Sequence, residues 1–216
     1  MITGANRGIG HALARHYHAV GWRVTGDCRH SSYQLDSIAA QVIEGIDVIS
    51  EAGIQNLISA LQGQSIDLLI NNAGVLQNDR LGALDFDLIR LQMETNAFAP
   101  LRNSEALLPN LKSGSKIINI TSRMGSIADN PSGGYYGYRA SNAAFNALGR
   151  SMAIDLKTRG IAVAQLHPCF VKTRMVDFAG TLTPEESVAW LAERIEALNL
   201  ENSGAFWHCN GEELPW

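Results

Sequence analysis

Cysteine is scarce in this sequence. Cys28, Cys169 and Cys209 are the only three among 216 residues, and their spacing gives neither a disulfide framework nor a paired metal-ligand motif. The expectation is three small thiols, buried or half-buried, in a reducing cytoplasm, and no metal site. Charge is sparse too: charged residues make up 18% of the chain and the net charge is −4. There is no basic surplus to collect nucleic acid or an anionic membrane, so neither is expected as a partner. No apolar run is long enough to span a bilayer, and no signal peptide precedes the first motif. Metal-binding histidine pairs are also missing. His16 and His18 stand two apart on an expected helix and point to different faces. Together with His11 they read as the solvated side of that helix.

What is present is alternation. Apolar runs of strand length exchange with segments of helical spacing. Met1–Thr3 is the stub of a strand, and Ile9, Ala12, Leu13, Tyr17 and Val20 follow at helical intervals. Trp22–Cys28 and Val42–Val48 read as the next strands, and Ile54, Leu57, Ile58 and Leu61 as a helical face between that pair and "IDLLINNAG", a continuous apolar strand. Helical segments are expected around Phe86–Met93 and Thr95–Leu111, then a strand at "SKIINITS". A long helix marked by Phe145, Leu148, Met152 and Leu156, a strand at "IAVAQLHP", a helix over Ser187–Leu198 and a strand at "GAFWH" complete the chain. The fold class is therefore α/β: a Rossmann-type, doubly wound parallel sheet of about seven strands, the first truncated, in a single domain over residues 1–216. Ligands of such sheets bind beyond the carboxyl ends of the strands.

The first of those strand ends carries "TGANRGIG", Thr3 to Gly10. Gly4, Gly8 and Gly10 let the backbone approach a pyrophosphate, and the helix that follows offers free N–H groups and its positive dipole end. Further motifs follow in order: "NNAG" (Asn71 to Gly74), "TNAFAP" with Asn96, "NITS" with Ser122, "YRASN" with Tyr138 and Asn142, and "HPCFVKT". With these the sequence resembles the short-chain dehydrogenase/reductase family through nearly its whole length. "GYYGYRAS" and the closing "GAFWHCNGEELPW" are most similar to its C-factor and carbonyl-reductase branch.

The resemblance implies hydride transfer between a nicotinamide cofactor and a small carbonyl or alcohol substrate. It implies Tyr138 as proton donor, Ser122 as the group that holds the carbonyl oxygen, and Asn96 as holder of a relay water. The plainer readings are a strand-terminal hydroxyl for Ser122 and a kink residue for Asn96. The cofactor set it implies is Gly4, Asn6, Arg7, Gly8, Ile9, Gly10, Arg29, Asp47, Val48, Asn72, Ala73, Gly74, Asn142, Pro168, Val171 and Thr173. NADP is favoured over NAD, because Cys28 stands where an acid would hold the ribose and Arg29 follows it. Asp27 lies one step earlier, facing away. The alternative is that Arg29 and Arg7 are solvated loop residues.

Position 142 departs from the family, which has lysine there. Asn142 lies four residues from Tyr138 on one helical face, but it is neutral and cannot favour the phenolate by charge. Tyr135 and Arg139 offer a rival pair at the same spacing, at the expense of the Ala140-Ser141 match. Cys169 replaces a glycine, and the first strand is almost absent, so either the chain starts upstream or the central strand is short. Met124, Phe170, Met175 and Phe178 read as an apolar pocket or as core. Ala143, Ala147 and Ser151 recur at four-residue intervals and point to a homodimer or homotetramer. The competing function is a dinucleotide-binding signalling or sensing protein of the C-factor type with little turnover.

Overall fold

The computed structural model describes all 216 residues. Six strands form a parallel array: β1 (Thr25–Asp27), β2 (Gln41–Ile43), β3 (Ile66–Asn71), β4 (Leu111–Ile120), β5 (Ala162–His167) and β6 (Phe206–His208). β1 pairs with β2, and β3, β4, β5 and β6 pair in that order. Between the two sets lies the truncated first strand. Ile2 bridges Gly26 on one side and Ile70 on the other, both in parallel, and its N–H donates to the Thr25 carbonyl at 3.0 Å. The expected first strand is therefore reduced to one bridging residue, and the expected last strand at "GAFWH" is β6. A small apolar hollow lined by Met1, Tyr17, Trp22, Val24 and Leu68 opens beside it.

Seven α-helices cover the sheet: α1 (Gly8–Ala19), α2 (Tyr33–Asp36), α3 (Glu51–Ala60), α4 (Phe86–Met93), α5 (Ala99–Ala106), α6 (Tyr136–Leu156) and α7 (Pro184–Ala197). α4 and α5 are joined without a break by a π-helical turn, Glu94–Phe98. The strand alternation explains the layers. Leu68, Ile70, Ile118, Ala164 and Leu166 face α1 and α7 in one core. Leu69, Ile117 and Val163, one residue out of phase, face α3, α5 and α6 in the other. Both sheet faces are thus apolar, as a doubly covered parallel sheet requires, and each buried aliphatic side chain contributes roughly 1.5–3 kcal/mol.

Several boundaries differ from the sequence expectation. β1 and β2 are three residues each. Asp47 and Val48 lie beyond β2 in the loop before α3, because Gly45 turns the chain with φ +72. Tyr33–Asp36 forms a short helix that its weak pattern did not announce; Ser32 caps it by accepting from the Leu35 N–H at 3.3 Å. The second helical segment stops at Ala106, short of Leu111, since Pro109 follows one turn later. Of the three histidines on α1 only His18 is exposed; His11 is half-buried, and His16 is half-buried edge-on to Tyr17. The largest correction concerns cysteine: Cys169 and Cys209 are joined by a disulfide, with Cα atoms 6.1 Å apart. The forty-residue spacing hid this pairing, which the sheet register creates. No helix is long and apolar enough to cross a membrane.

Asp27 does not face away. It is buried, and its Oδ1 accepts from the Gly4 N–H at 2.9 Å, holding the glycine turn from beneath. Its other oxygen is buried without a partner. Burial pushes this carboxyl up to about 7, against the smaller opposing effects of the Gly4 N–H and the chain's amino terminus. The Met1 ammonium, donating to the Leu68 carbonyl, is pushed down by burial to about 6. A carboxyl raised in the folded state keeps its proton there while the unfolded chain loses it. Asp27 therefore costs stability progressively as pH rises from about 4 to about 7. The Met1 amine contributes the opposite slope between about 6 and about 8. Asp27→Asn keeps the acceptor for Gly4 and removes the first effect. Its denaturant-unfolding free energy is expected to exceed the parent's by on the order of 2 kcal/mol at pH 8, with the gap closing near pH 4. Parallel stability curves for the two proteins across that range would contradict this.

Candidate active site

The carboxyl ends of the strands bring the sequence motifs together. After Ile2 the chain turns at Gly4, φ +65, and again at Gly8, φ +57, into α1. A Cβ on Gly10 would collide with the Gly4 carbonyl and the Asn72 amide, so only glycine lets α1 start this close to the turn. The NNAG turn is tied to the same loop. Asn72 Nδ2 donates to the Thr3 carbonyl at 2.9 Å, and the Asn72 and Ala73 N–H groups both donate to Thr3 Oγ1, at 2.9 and 3.0 Å. Asn6 Nδ2 reaches across to the His30 carbonyl at 2.8 Å, joining the glycine loop to the segment after β1. Arg7 precedes α1 with no side-chain cap, and no acid lies in the first turn, so the helix presents open N–H groups and uncompensated positive potential. Half-buried Ile9 sits in that first turn.

From the other side, Val171 is buried while Thr173 approaches the glycine turn: a Cβ on Gly8 would lie 3.4 Å from Thr173 Cγ2. Buried Pro168 is fixed through its carbonyl, which accepts from Ser187 Oγ at 2.6 Å. Arg29 and Arg7 are exposed and make no ion pair. Asp47 is exposed and Val48 half-buried at the head of α3. The glycine turn, the NNAG turn and Thr173 thus meet at the strand ends.

Ser122, at the end of β4, is buried, and its Oγ accepts from the Met124 N–H at 3.1 Å. Tyr138 lies half-buried on the first turn of α6, beside Ser122 and Asn142. Burial pushes the phenol above its ordinary value, and the polar side chains of Ser122 and Asn142 oppose the rise. No cation takes part. Asn142 is buried; its Nδ2 donates to the Tyr138 carbonyl at 2.8 Å and its Oδ1 accepts from Thr121 Oγ1 at 3.1 Å. Arg139 of the rival pair turns to the Met124 carbonyl and Ser132 Oγ instead.

Asn96 sits in the π-helical turn, a local irregularity that recurs at functional sites. Its side chain is fully used: Oδ1 accepts from the Val75 N–H at 2.8 Å, and Nδ2 donates to the Val75 carbonyl at 2.8 Å and to Ser141 Oγ at 3.0 Å. It clamps the NNAG turn to α6. Phe170, Met175 and Phe178 are exposed and Met124 half-buried, so they form an apolar rim rather than core.

One residue of the site carried no sequence signal. Asp79 is buried, and its carboxylate accepts from the Tyr136 N–H and, at 3.0 Å, from the Gly137 N–H, while its carbonyl accepts from Tyr135. It caps α6 from 57 residues upstream, far outside the local window in which capping motifs are read. The anion also compensates the dipole at that end of the helix. Tyr138 is thus positioned from Asp79.

The motifs and this geometry are matched by a family model described as short chain dehydrogenase, over residues 1–181. The chain belongs to that family. Among relatives of this short-chain dehydrogenase, 1-hydroxy-2-glutathionyl-2-methyl-3-butene dehydrogenase of Rhodococcus sp. (strain AD45) is 40% identical over 222 residues, covering 100% of the chain and 98% of the relative. The C-signal of Myxococcus xanthus is 42% identical over 154 residues, covering 70% and 93%. NADPH-bound carbonyl reductase from chicken fatty liver superposes with a TM-score of 0.88 at 31% identity, covering 100% of this chain and 97% of that one.

Replacing Asp79 with alanine removes the anion and two acceptors from the start of α6. The variant is expected to lose about 1–3 kcal/mol in urea unfolding and to lower whatever turnover the parent has, since Tyr138 then loses its anchor. Unchanged stability in Asp79→Ala would show that α6 does not depend on this cap.

Proposed function

We propose that this short-chain dehydrogenase is an NADP-dependent oxidoreductase that interconverts a small carbonyl compound and its alcohol. The observation that carries the reading is the placement of Tyr138 beside Ser122 and Asn142, at the strand ends where the glycine turn and the NNAG turn meet. The cofactor fits on structural grounds: glycine at position 10, where a Cβ would strike the Gly4 carbonyl, lets the glycine turn fold tightly against the start of α1, and that uncapped helix start suits a pyrophosphate. Gly4, Asn6, Arg7, Gly8, Ile9 and Gly10 would cradle the phosphates, and Asn72, Ala73 and Gly74 would flank the ribose. Asp47 and Val48 would meet the adenine edge, Arg29 a 2′-phosphate, and Pro168, Val171 and Thr173 the nicotinamide. When bound, the nicotinamide supplies or accepts the hydride.

The chain's own residues handle the proton and the developing charge. Ser122 Oγ and the Tyr138 hydroxyl converge as donors on the substrate oxygen, which is stabilised as charge builds there. Tyr138 delivers its proton to the nascent alkoxide in reduction and receives it in oxidation. Asn142 donates to the Tyr138 carbonyl and brings no charge to the hydroxyl. Burial holds the phenol above its ordinary value and no neighbouring ammonium lowers it, so alcohol oxidation would be confined to high pH and chemistry slowed. If the missing charge is worth ~2–4 kcal/mol in the transition state, the loss is about thirty- to a thousandfold. The apolar rim of Phe170, Met175 and Phe178 favours substrates with a hydrophobic body.

A second reading is supported by the same neutral position and by the similarity to C-signal: a dinucleotide-binding sensing protein with little turnover. In either case the chain would act in the cytoplasm, on a small molecule. Ala147 and Ser151 are exposed on α6, and Leu88 and Leu91 of α4 are also open to solvent. That face would pair in a homodimer or homotetramer.

Two measurements separate these readings. Asn142→Lys is expected to raise kcat for aldehyde reduction by at least about tenfold and to move the pH profile of alcohol oxidation downward, with NADPH affinity changed little. Tyr138→Phe in that background is expected to erase the gain. A parent enzyme already as fast as the lysine variant would overturn the catalytic account of position 142. For the cofactor, NADPH is expected to bind more tightly than NADH by fluorescence titration. Arg29→Asp is expected to weaken NADPH selectively, by about tenfold or more. Equal affinities of the unmodified protein for the two cofactors would overturn the assignment of Arg29.

A further inference from the structure

Cys169 and Cys209 stand where two adjacent strands end. β5 and β6 run parallel with His167 opposite His208, and the Cys209 N–H donates to the His167 carbonyl at 2.8 Å. Each chain then runs on to its cysteine, so the register delivers the two sulfurs to one another. Cys169 adopts φ +71, a left-handed conformation that favours glycine, and its side chain is turned onto Cys209. The two thiols differ in access: Cys169 is half-buried and Cys209 fully buried.

An imidazole accompanies them. His208 Nε2 lies 3.6 Å from Cys169 Sγ, and Nδ1 lies 3.8 Å from Cys209 Sγ. His208 Nδ1 is also 3.7 Å from Cys169 Sγ, so the sulfur lies against the ring and not in line with either nitrogen. The Asn210 N–H donates to Nδ1 at 3.2 Å, and His167 packs edge-on against His208, with ring centroids 5.1 Å apart. A reachable thiol in contact with an imidazole that can exchange protons with it, backed by a buried resolving thiol, is the arrangement of a pair that exchanges. A permanent structural bridge needs no imidazole, and disulfides in a reducing compartment are mostly transient.

We infer that Cys169 and Cys209 form a thiol–disulfide exchange site that takes small disulfides such as oxidised glutathione. The Cys169 thiolate attacks one sulfur of the small disulfide, whose S–S bond breaks to release one thiolate, protonated by solvent. The mixed disulfide on Cys169 is then attacked by the Cys209 thiolate, forming the internal bond and releasing the second small thiol. The protein pair is oxidised by two electrons and the small disulfide is reduced to two thiols. The closed bond pins the segment Pro168–Thr173 to the C-terminal residues, whose Trp216 carbonyl in turn accepts from the Ala128 N–H at 3.1 Å, in the loop beyond Ser122. The oxidation state would therefore set the order of that segment; this consequence, unlike the exchange chemistry, rests on its reading as the nicotinamide loop.

The test is a thiol count on the full chain equilibrated in reduced and oxidised glutathione at several ratios, quenched in denaturant with an alkylating reagent and weighed intact. Three alkylated cysteines are expected at the reducing end and one, Cys28, at the oxidising end. Cys209→Ser is expected to trap glutathione on Cys169. His208→Asn is expected to slow exchange by about fivefold or more at one pH without moving the end points. Three free thiols at every ratio, or one even in excess dithiothreitol, would overturn the inference. So would stoichiometric zinc in the purified chain whose chelation alone releases the two thiols, since Cys169, His208 and Cys209 would then be metal ligands. A separate arm measures NADPH affinity of both forms, expected to be about threefold tighter in the oxidised one. Equal affinities would remove the link to the cofactor loop. A chain that binds no NADPH in either form would overturn the cofactor reading, with the thiol count still deciding the exchange site.

Discussion

In-register parallel pairing is the constraint on which the site depends. Asn71 lies opposite Asn119, Asn119 opposite Gln165, and His167 opposite His208. Because the strands end at nearly the same level, their first loop residues meet: Asn72, Thr121 and Ser122, Pro168, and Cys209. The register is reinforced from inside by a ladder of buried amides. Asn71 Nδ2 donates to Asn119 Oδ1 at 3.0 Å, Asn119 Nδ2 to Gln165 Oε1 at 3.1 Å, and Gln165 Nε2 to the Ala205 carbonyl at 3.4 Å. A slip of one residue would break each of these bonds and turn Leu69, Ile117 and Val163 out of their core.

Helix α6 is seated on this platform by polar clamps at its first turns. Asp79 takes the leading N–H groups, and Asn96 reaches Ser141. At the third turn Asn142 and Asn146 both meet Thr121 Oγ1. Close contact also matters: a Cβ on Gly125 would come within 2.7 Å of the Asn142 carbonyl carbon. Asn142 satisfies its side-chain oxygen and amide within the protein, through Thr121 Oγ1 and the Tyr138 carbonyl.

The parts of the fold legible in the sequence were those written locally. Continuous apolar runs in "IDLLIN" and "IAVAQLH" and the 3.6-residue period of α1 and α6 pointed to the elements and their order. The glycine loop, the NNAG turn, Ser122 and Tyr138 were legible because each motif is contiguous and lies at a strand end. What the sequence hid was set by distance. Asp79 caps a helix 57 residues away, and Cys169 meets Cys209 only after β5 and β6 have paired. The inward turn of Asp27 was hidden because β1 is only three residues long, too short for alternation to assign a face. The loop at Asp47 read as strand because Val42, Ile43, Ile46 and Val48 are apolar, although Gly45 ends the strand there.

Within the sheet ladder Ile2 is the one bridging residue between the two halves, flanked by a buried ammonium pushed down and a buried carboxyl pushed up by burial. Cooperativity between the halves passes through that narrow neck, in contrast to the long ladder between β3 and β4. The molecule is thus built like a book with a thin spine. Opening fluctuations are expected to concentrate between β1 and β3, with amide protection there below that of the four-stranded half. A dinucleotide lying across the spine would fasten both covers, so ligand binding would raise the cooperativity of unfolding as well as its midpoint.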